Sequence, residues 1–246
     1  MDRLVYTAAS GAKQIMDRQA TVAHNLANVS TSGFKAQLDT FRAVPIQGEG
    51  LPTRTLVVAN TVGADLREGP TQTTGRDLDV AVRGQGWIAV QTADGSEAYT
   101  RAGGLKISDA GILQTANGLN VVGDGGPIAI PPEVTVQIGG DGTVASIATT
   151  TKPGASTVLG RIKLVNPPGQ DMVRGDDGLF RVKDGQPAAL DPNVQLASGV
   201  LEGSNVNPVD AMVDMIGLAR AFDMQMSMLK NAENNEAKAT QLLALT

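Results

Sequence analysis

A chain of 246 residues with 41% apolar content can bury one or two cores, yet only 3% of it is aromatic while 29 residues are glycine. Such a core has to be built from Val, Ile, Leu and Ala between many tight turns. A formal charge of −5 with scattered Lys and Arg argues against nucleic-acid binding, and the lack of cysteine excludes disulfides, thiolate metal sites and cysteine nucleophiles.

The N-terminal segment places Val5, Ala8, Ala12, Ile15, Gln19, Val22, Leu26 and Val29 at alternating spacings of three and four, a heptad-like stripe interrupted only by Gln19. This pattern predicts a helix over about 4–27, with Ala8 and Ala12 allowing a neighbouring helix to approach closely. Asp2, Arg3, Lys13, Asp17 and Arg18 break any secretory-signal pattern, and no stretch nears the ~18 apolar residues of a membrane span. The expectation is a chain exported without a cleaved peptide, if at all, and without direct membrane insertion.

At "HNLANVSTSGFKA" the helical pattern stops in a crowd of Asn, Ser, Thr and Gly. Over 30–70 neither a sustained helix nor strand pairing is legible, and an extended connecting arm is expected. From about 71 to 201 the period changes to two, with strands at "DLDVAV", "WIAVQ", "EAYTR", "LKIS", "ILQT", "LNVVG", "VTVQI", "TVASI", "RIKLV" and "LFRV". The pairs Asp94-Gly95, Asn117-Gly118, Asp141-Gly142, Asp177-Gly178 and Asp184-Gly185 mark hairpin turns between them.

Asn207-Pro208-Val209-Asp210 reads as a helix start, with a capping oxygen, a first-turn proline and an acidic residue at the positive dipole end. Met212, Ile216, Ala219, Phe222, Met226 and Leu229 then recur on one face. The fold expected is α+β: terminal helices pair as a coiled-coil layer, and a mainly antiparallel β domain is inserted between them. Its parts are an N-terminal helix (1–29), an arm (30–70), the β domain (71–205) and a C-terminal helix (206–246). The predicted helix-packing interface joins Val5, Ala8, Ala12, Ile15, Val22 and Leu26 to Met212, Ile216, Ala219, Phe222, Met226 and Leu229.

Chemistry is sparse. The single histidine, His24, has no acidic neighbour at metal-ligand spacing and supports no triad. "RGQGW" and "GDGGP" do not open a helix after a strand as a phosphate-cradling loop requires, and "GGDGTV" occurs once where a calcium-binding β-helix needs stacked copies. The pairs Asp77/Asp79 and Asp176/Asp177 suit solvent-facing strand and turn positions better than glycoside hydrolysis, which needs carboxylates facing across a cleft. The methionines at 212, 215, 224, 226 and 228 suit adaptable packing. No catalytic, cofactor-binding or metal residue is expected, and no small-molecule substrate.

"HNLANVSTSGFKA" resembles the N-terminal signature of the bacterial flagellar axial proteins, the rod and hook family, of the form A-N-N-L-A-N-x-x-T-x-G-F-K. Asn25, Leu26, Ala27, Asn28, Thr31, Gly33, Phe34 and Lys35 match it, and His24 stands where Asn is usual. "LEGSNVNPVDAMVDMI", with Gly203, Ser204, Asn205, Val206, Asn207 and Pro208, resembles the family's C-terminal boundary. "LDVAVRGQGWIAVQTADGSEAYTRAG" resembles its strand-rich segment. "MDRLVYTA", "LPTRTLVVA", "DDGLFRV" and "FDMQMSMLKNAENNEAKATQLL" are similar to its proximal-rod members.

The resemblance implies a structural subunit of the proximal rod, the drive shaft of the basal body, with helically arranged subunits, terminal helices inside and the β domain outside. It implies contacts with proximal and distal rod proteins and with copies of itself, type III export, and a place in the rod across the periplasm. A cell-wall carbohydrate-active β-domain enzyme or a ligand-binding β module with a coiled-coil anchor are the alternatives. They need a cleft carboxylate pair or a deep apolar pocket. Gly33 is expected to adopt a conformation that larger residues resist, and Phe34 to pack back onto the helical layer.

Overall fold

A computed structural model of the chain describes residues 2–45, 55–148 and 156–243. The chain separates into a helical unit, from 1–28, 37–65 and 206–246, and a β-rich unit, from 29–36 and 66–205.

In the helical unit, α1 (Asp2–Ala27) and α2 (Pro208–Leu243) pack against each other. Asn207 caps α2: its Oδ1 accepts from the backbone N–H groups of Val209 at 3.0 Å and Asp210 at 3.4 Å, satisfying first-turn donors. Along α1, Ala8 and Ala12 are buried and Val5, Ile15, Gln19, Val22 and Leu26 half-buried.

The packing stripe of α2 differs from the expected one. Ala211 and Ala232 are buried, and Met215, Leu218, Phe222, Gln225 and Leu229 are half-buried between them at regular four-three spacing. Met212, Ile216 and Met226 are 52%, 56% and 46% exposed, and Ala219 is exposed too. Only Phe222 and Leu229 of the expected six lie on the seam. The physical reason is close approach: Ala8, Ala12, Ala211 and Ala232 are the buried positions, so α2 turns the stripe that starts at Ala211 towards α1 rather than the adjacent stripe through Met212 and Ile216. Gln225 fits because Gly11 faces it, with 3.5 Å left between the glycine's absent Cβ and the amide.

The expected extended arm contains instead an antiparallel pair, Gln37–Pro45 with Thr55–Ala64, and α1 packs along both strands. A register shift between Thr40 and Phe41 breaks the period-two pattern, and Leu38, Phe41, Val57 and Val58 stay exposed, so no clean alternation marked these strands. Residues 46–54, including the first half of "LPTRTLVVA", lie outside the described residues.

The main sheet of the β-rich unit runs in the order Met172–Arg174, Phe180–Val182, Glu97–Thr100, Trp87–Gln91, Asn120–Gly123, Leu113–Thr115, Leu105–Ile107. Leu164–Val165 joins at Trp87–Gln91 and Gly126–Pro127 at Asn120–Gly123. A second sheet pairs Val134–Ile138, Thr143–Ala148 and Ser156–Arg161. Two long-range pairs complete the unit: Gln195–Ser198 on Val80–Arg83, and Val200–Glu202 on Thr71–Thr73. All its pairings among the described residues are antiparallel. The main cluster between them is aliphatic, from Val80 and Ile88 to Leu164 and Leu196, and Phe34, Trp87, Tyr99 and Phe180 are buried in the same unit outside that cluster. The glycines of all five Asx-Gly pairs have φ between 71° and 86°, the left-handed turn geometry.

Candidate functional site

The residues that end α1 have separate tasks. Asn28 closes the helix: its side-chain amide donates to the His24 carbonyl at 2.9 Å, and its own N–H donates to the carbonyls of His24 and Asn25. Asn25 turns away to the strand that follows. Its Nδ2 donates to Gln37 O at 3.0 Å and its Oδ1 accepts from Gln37 N–H at 2.8 Å. Leu26 is half-buried on the helix seam and Ala27 exposed.

Gly33, Phe34 and Lys35 belong to the β-rich unit. Gly33 has φ +68°, and a Cβ there would lie 2.2 Å from the backbone carbon of Arg101, so no larger residue fits without moving the chain. Its N–H donates to Glu202 O at 2.7 Å. The Thr31 carbonyl accepts from the Phe34 N–H at 3.3 Å. Phe34 was expected to pack on the helical layer; it is buried in the β-rich unit instead, with the Arg174 guanidinium 4.6 Å from its ring. Arg174 also donates to Lys35 O at 2.8 Å.

Lys35 is the centre of the arrangement. Its side chain is fully buried, and Nζ donates to Glu202 Oε1 and to Arg67 O, both at 2.7 Å. Burial lowers its pKa from the ordinary lysine value, opposed by the Glu202 carboxylate. Glu202 takes two further donors, Gly69 N–H at 3.0 Å on Oε1 and Arg101 Nη1 at 3.0 Å on Oε2. Arg101 continues to Gly84 O at 2.7 Å and lies over the Trp87 ring, 5.4 Å from its centroid.

The return segment locks the same place. Gly203 N–H donates to Pro70 O, and a Cβ on Gly69 would stand 2.2 Å from Gly203 O. Asn205 accepts from Ala36 N–H at 2.7 Å and donates to Arg67 O at 3.1 Å. Ser204 is buried and Val206 half-buried, and Asn207 and Pro208 then open α2. Four stretches of chain, at 33–36, 67–70, 101 and 202–205, thus meet around one buried carboxylate.

A buried carboxylate holding two cations and a backbone donor is a structural clamp. Glu202 is 1% exposed and its two oxygens already accept from Lys35, Gly69 and Arg101, so it does not face solvent where a substrate could reach it. The other acidic pairs offer no cleft. Asp79, expected to face solvent, is buried, accepting from Thr74 Oγ1 at 2.8 Å with Arg76 3.5 Å away, while Asp77 is exposed. Asp177 accepts from Leu179 N–H and pairs with Arg181, which holds its carboxyl below the usual range. Among the described residues, no three His, Asp or Glu are placed to hold a metal, and no helix is long and apolar enough to cross a membrane. A groove of about 380 Å³, lined by Pro167, Pro168, Val182 and Leu190 with Asp184 and Asp191 among them, is open to solvent rather than a deep enclosed pocket.

The family model for flagella basal body rod proteins matches residues 5–35, that for the D1 domain of flagellar hook proteins FlgE/F/G matches 81–146, and that for the C-terminal part of basal body rod FlgEFG proteins matches 197–242. The chain is 46% identical over 252 residues to the flagellar basal-body rod protein FlgF of Salmonella typhimurium and 48% identical over 256 residues to that of Escherichia coli, covering all of each chain. It belongs to the flagellar basal-body rod protein family. Similarity to the rod protein FlgG of Bacillus subtilis is lower, 30% over 254 residues and 95% of this chain. Each region matched by a rod-family model supplies one charge of the clamp: Lys35 from the first, Arg101 from the second, Glu202 from the third. Arg101 and Glu202 escaped the sequence reading because partners 101 residues apart leave no local pattern. The one available signal was a lone acid between Leu201 and "GSN".

Proposed function

We propose that this chain is a structural subunit of the flagellar basal-body rod, placed in its proximal part, and that it assembles helically with other rod proteins and copies of itself into a shaft that transmits torque. Full-length identity of 46–48% to FlgF relatives, against 30% to a FlgG relative, carries the reading. The free face of α2 supports it physically. Val209, Met212, Val213 and Ile216 form an exposed apolar stripe at helical spacing, opposite the seam that α2 uses within its own unit. Neighbouring subunits cover that stripe, and the chain reaches them through the flagellar type III apparatus without losing a leader. The β-rich unit, 29–36 with 66–205, folds as a separate body, while α1 and α2 supply the contacts.

The test is complementation in a motile strain lacking its own proximal-rod subunit. The parent chain should restore swimming and appear in purified basal bodies, while Ile216→Asp should be exported yet missing from them. A parent chain exported normally but never found in basal bodies would sink the reading.

A further inference from the structure

We infer that Glu202 is a closing clasp: the β-rich unit stays open until this carboxylate arrives, because without it Lys35 and Arg101 would be buried side by side as uncompensated cations. The inference goes beyond the rod reading and concerns the chain by itself.

The topology sets the order. The last strands of the unit, Gln195–Ser198 and Val200–Glu202, pair with its first, Val80–Arg83 and Thr71–Thr73, so closure spans more than a hundred residues and follows formation of the local hairpins between them. The arm at 33–36 depends on that closure. Gly33 N–H donates to Glu202 O, Ala36 N–H to the Asn205 side chain, and Lys35 Nζ to the Glu202 carboxylate.

Electrostatics turns this dependence into a gate. Burial and the neighbouring Arg101 both act against the charged form of Lys35, and Glu202, bridging the two cations at 2.7 and 3.0 Å, is the main charge that opposes them. Both cations are almost wholly buried, so water cannot screen them. Docking the arm early is therefore disfavoured rather than merely unrewarded. A chain is synthesised from its N-terminus, so the clasp would hold the unit open until its final strand is made.

Trp87 is the only tryptophan, buried against Phe180 and under Arg101, so its fluorescence reports closure directly. Refolding and unfolding rates of the full chain in urea are the measurement. Glu202→Gln should speed unfolding about a hundredfold while changing refolding by no more than about twofold, the signature of a contact made after the transition state. Lys35→Met combined with Glu202→Gln should unfold roughly tenfold more slowly than Glu202→Gln alone, because it removes a stranded cation. Refolding slowed as much as unfolding is accelerated would place the clasp in the folding nucleus and overturn the inference. So would a double variant no more stable than the single one. If Glu202→Gln does not fold at all, the double variant must still show a cooperative transition, and its failure to do so also counts against the clasp.

Discussion

Asn25 and Gln37 exchange two hydrogen bonds across twelve residues, the side-chain amide of one completing both backbone groups of the other at 2.8 and 3.0 Å. The pair copies a rung of an antiparallel ladder, so the last turn of α1 serves as an edge on which the strand Gln37–Pro45 begins. Asn25→Ala leaves a partly buried donor and acceptor open and should destabilise the helical unit by roughly 1–3 kcal/mol. Asn25→Asp should cost more, since a carboxylate then faces the Gln37 carbonyl. Hydrogen exchange at the Gln37 amide checks this: protection in Asn25→Ala equal to the parent's would mean that the bonds do not hold the strand.

Glycine is required at position 33 for two separable reasons, and a control elsewhere in the unit isolates them. Gly33 and Gly185 share a left-handed backbone, φ +68° and +71°, but a Cβ on Gly185 meets nothing within 4 Å whereas one on Gly33 runs into the backbone of Arg101 and Ala102. Gly185→Ala should cost only the ~1–2 kcal/mol of an L-residue in that region. Gly33→Ala adds a steric clash that only a backbone shift relieves, and should cost at least about twice as much. Urea unfolding followed at Trp87 distinguishes them, and equal losses would show that space at Gly33 is not the constraint.

Legibility in the sequence followed the length of each pattern. The stripe of α1 repeats a clean period over several turns, the strands near Trp87 are short apolar runs bounded by turn residues, and both were readable. Thr71–Thr73, Met172–Arg174 and Val200–Glu202 are three residues long, too short for any period to show, and the first and last of them pair with each other from opposite ends of the unit. Asp79 was misread because an acidic residue beside a turn is usually solvated; here Thr74 supplies a donor that lets it be buried. The clamp at Glu202 was invisible for a related reason, since ion pairing between distant segments carries no spacing rule.

The displaced seam of α2 makes a sharp contrast between two residues two positions apart. Leu218 is half-buried on the seam facing α1, while Ile216, an isomeric side chain of the same size, is exposed. Leu218→Asp should reduce helical content and thermal stability of the purified chain by about 2–4 kcal/mol, as a charge enters a packed face. Ile216→Asp should stay within about 0.5 kcal/mol of the parent. Far-UV circular dichroism during thermal unfolding measures both. If Ile216→Asp were the more damaging, the seam first read from the sequence would be the right one.

Tyr99 gives the β-rich unit an alkaline limit. Burial raises its pKa to about 12, the Glu97 carboxylate that accepts its O–H at 2.9 Å adds to the rise, and the Ala188 N–H works against it. Between the ordinary value of 10.0 and about 12, the unfolded chain has released a proton that the folded chain still holds. Stability from this group is therefore complete below pH 10 and falls as pH climbs towards 12, by roughly 2–3 kcal/mol for a shift of two units. Lys35 has the opposite sign, since its lowered pKa makes stability rise with pH up to its ordinary value of 10.5. Comparing the parent with Tyr99→Phe cancels the lysine contribution. Tyr99→Phe strips Ala188 N–H of its acceptor and should be the less stable protein below pH 10, and its deficit should shrink through the window to about 12. Tyrosinate absorbance should place the ionisation of one tyrosine near the top of that range in the folded parent. A stability difference constant with pH would mean that the buried hydroxyl ionises as it does in the unfolded chain.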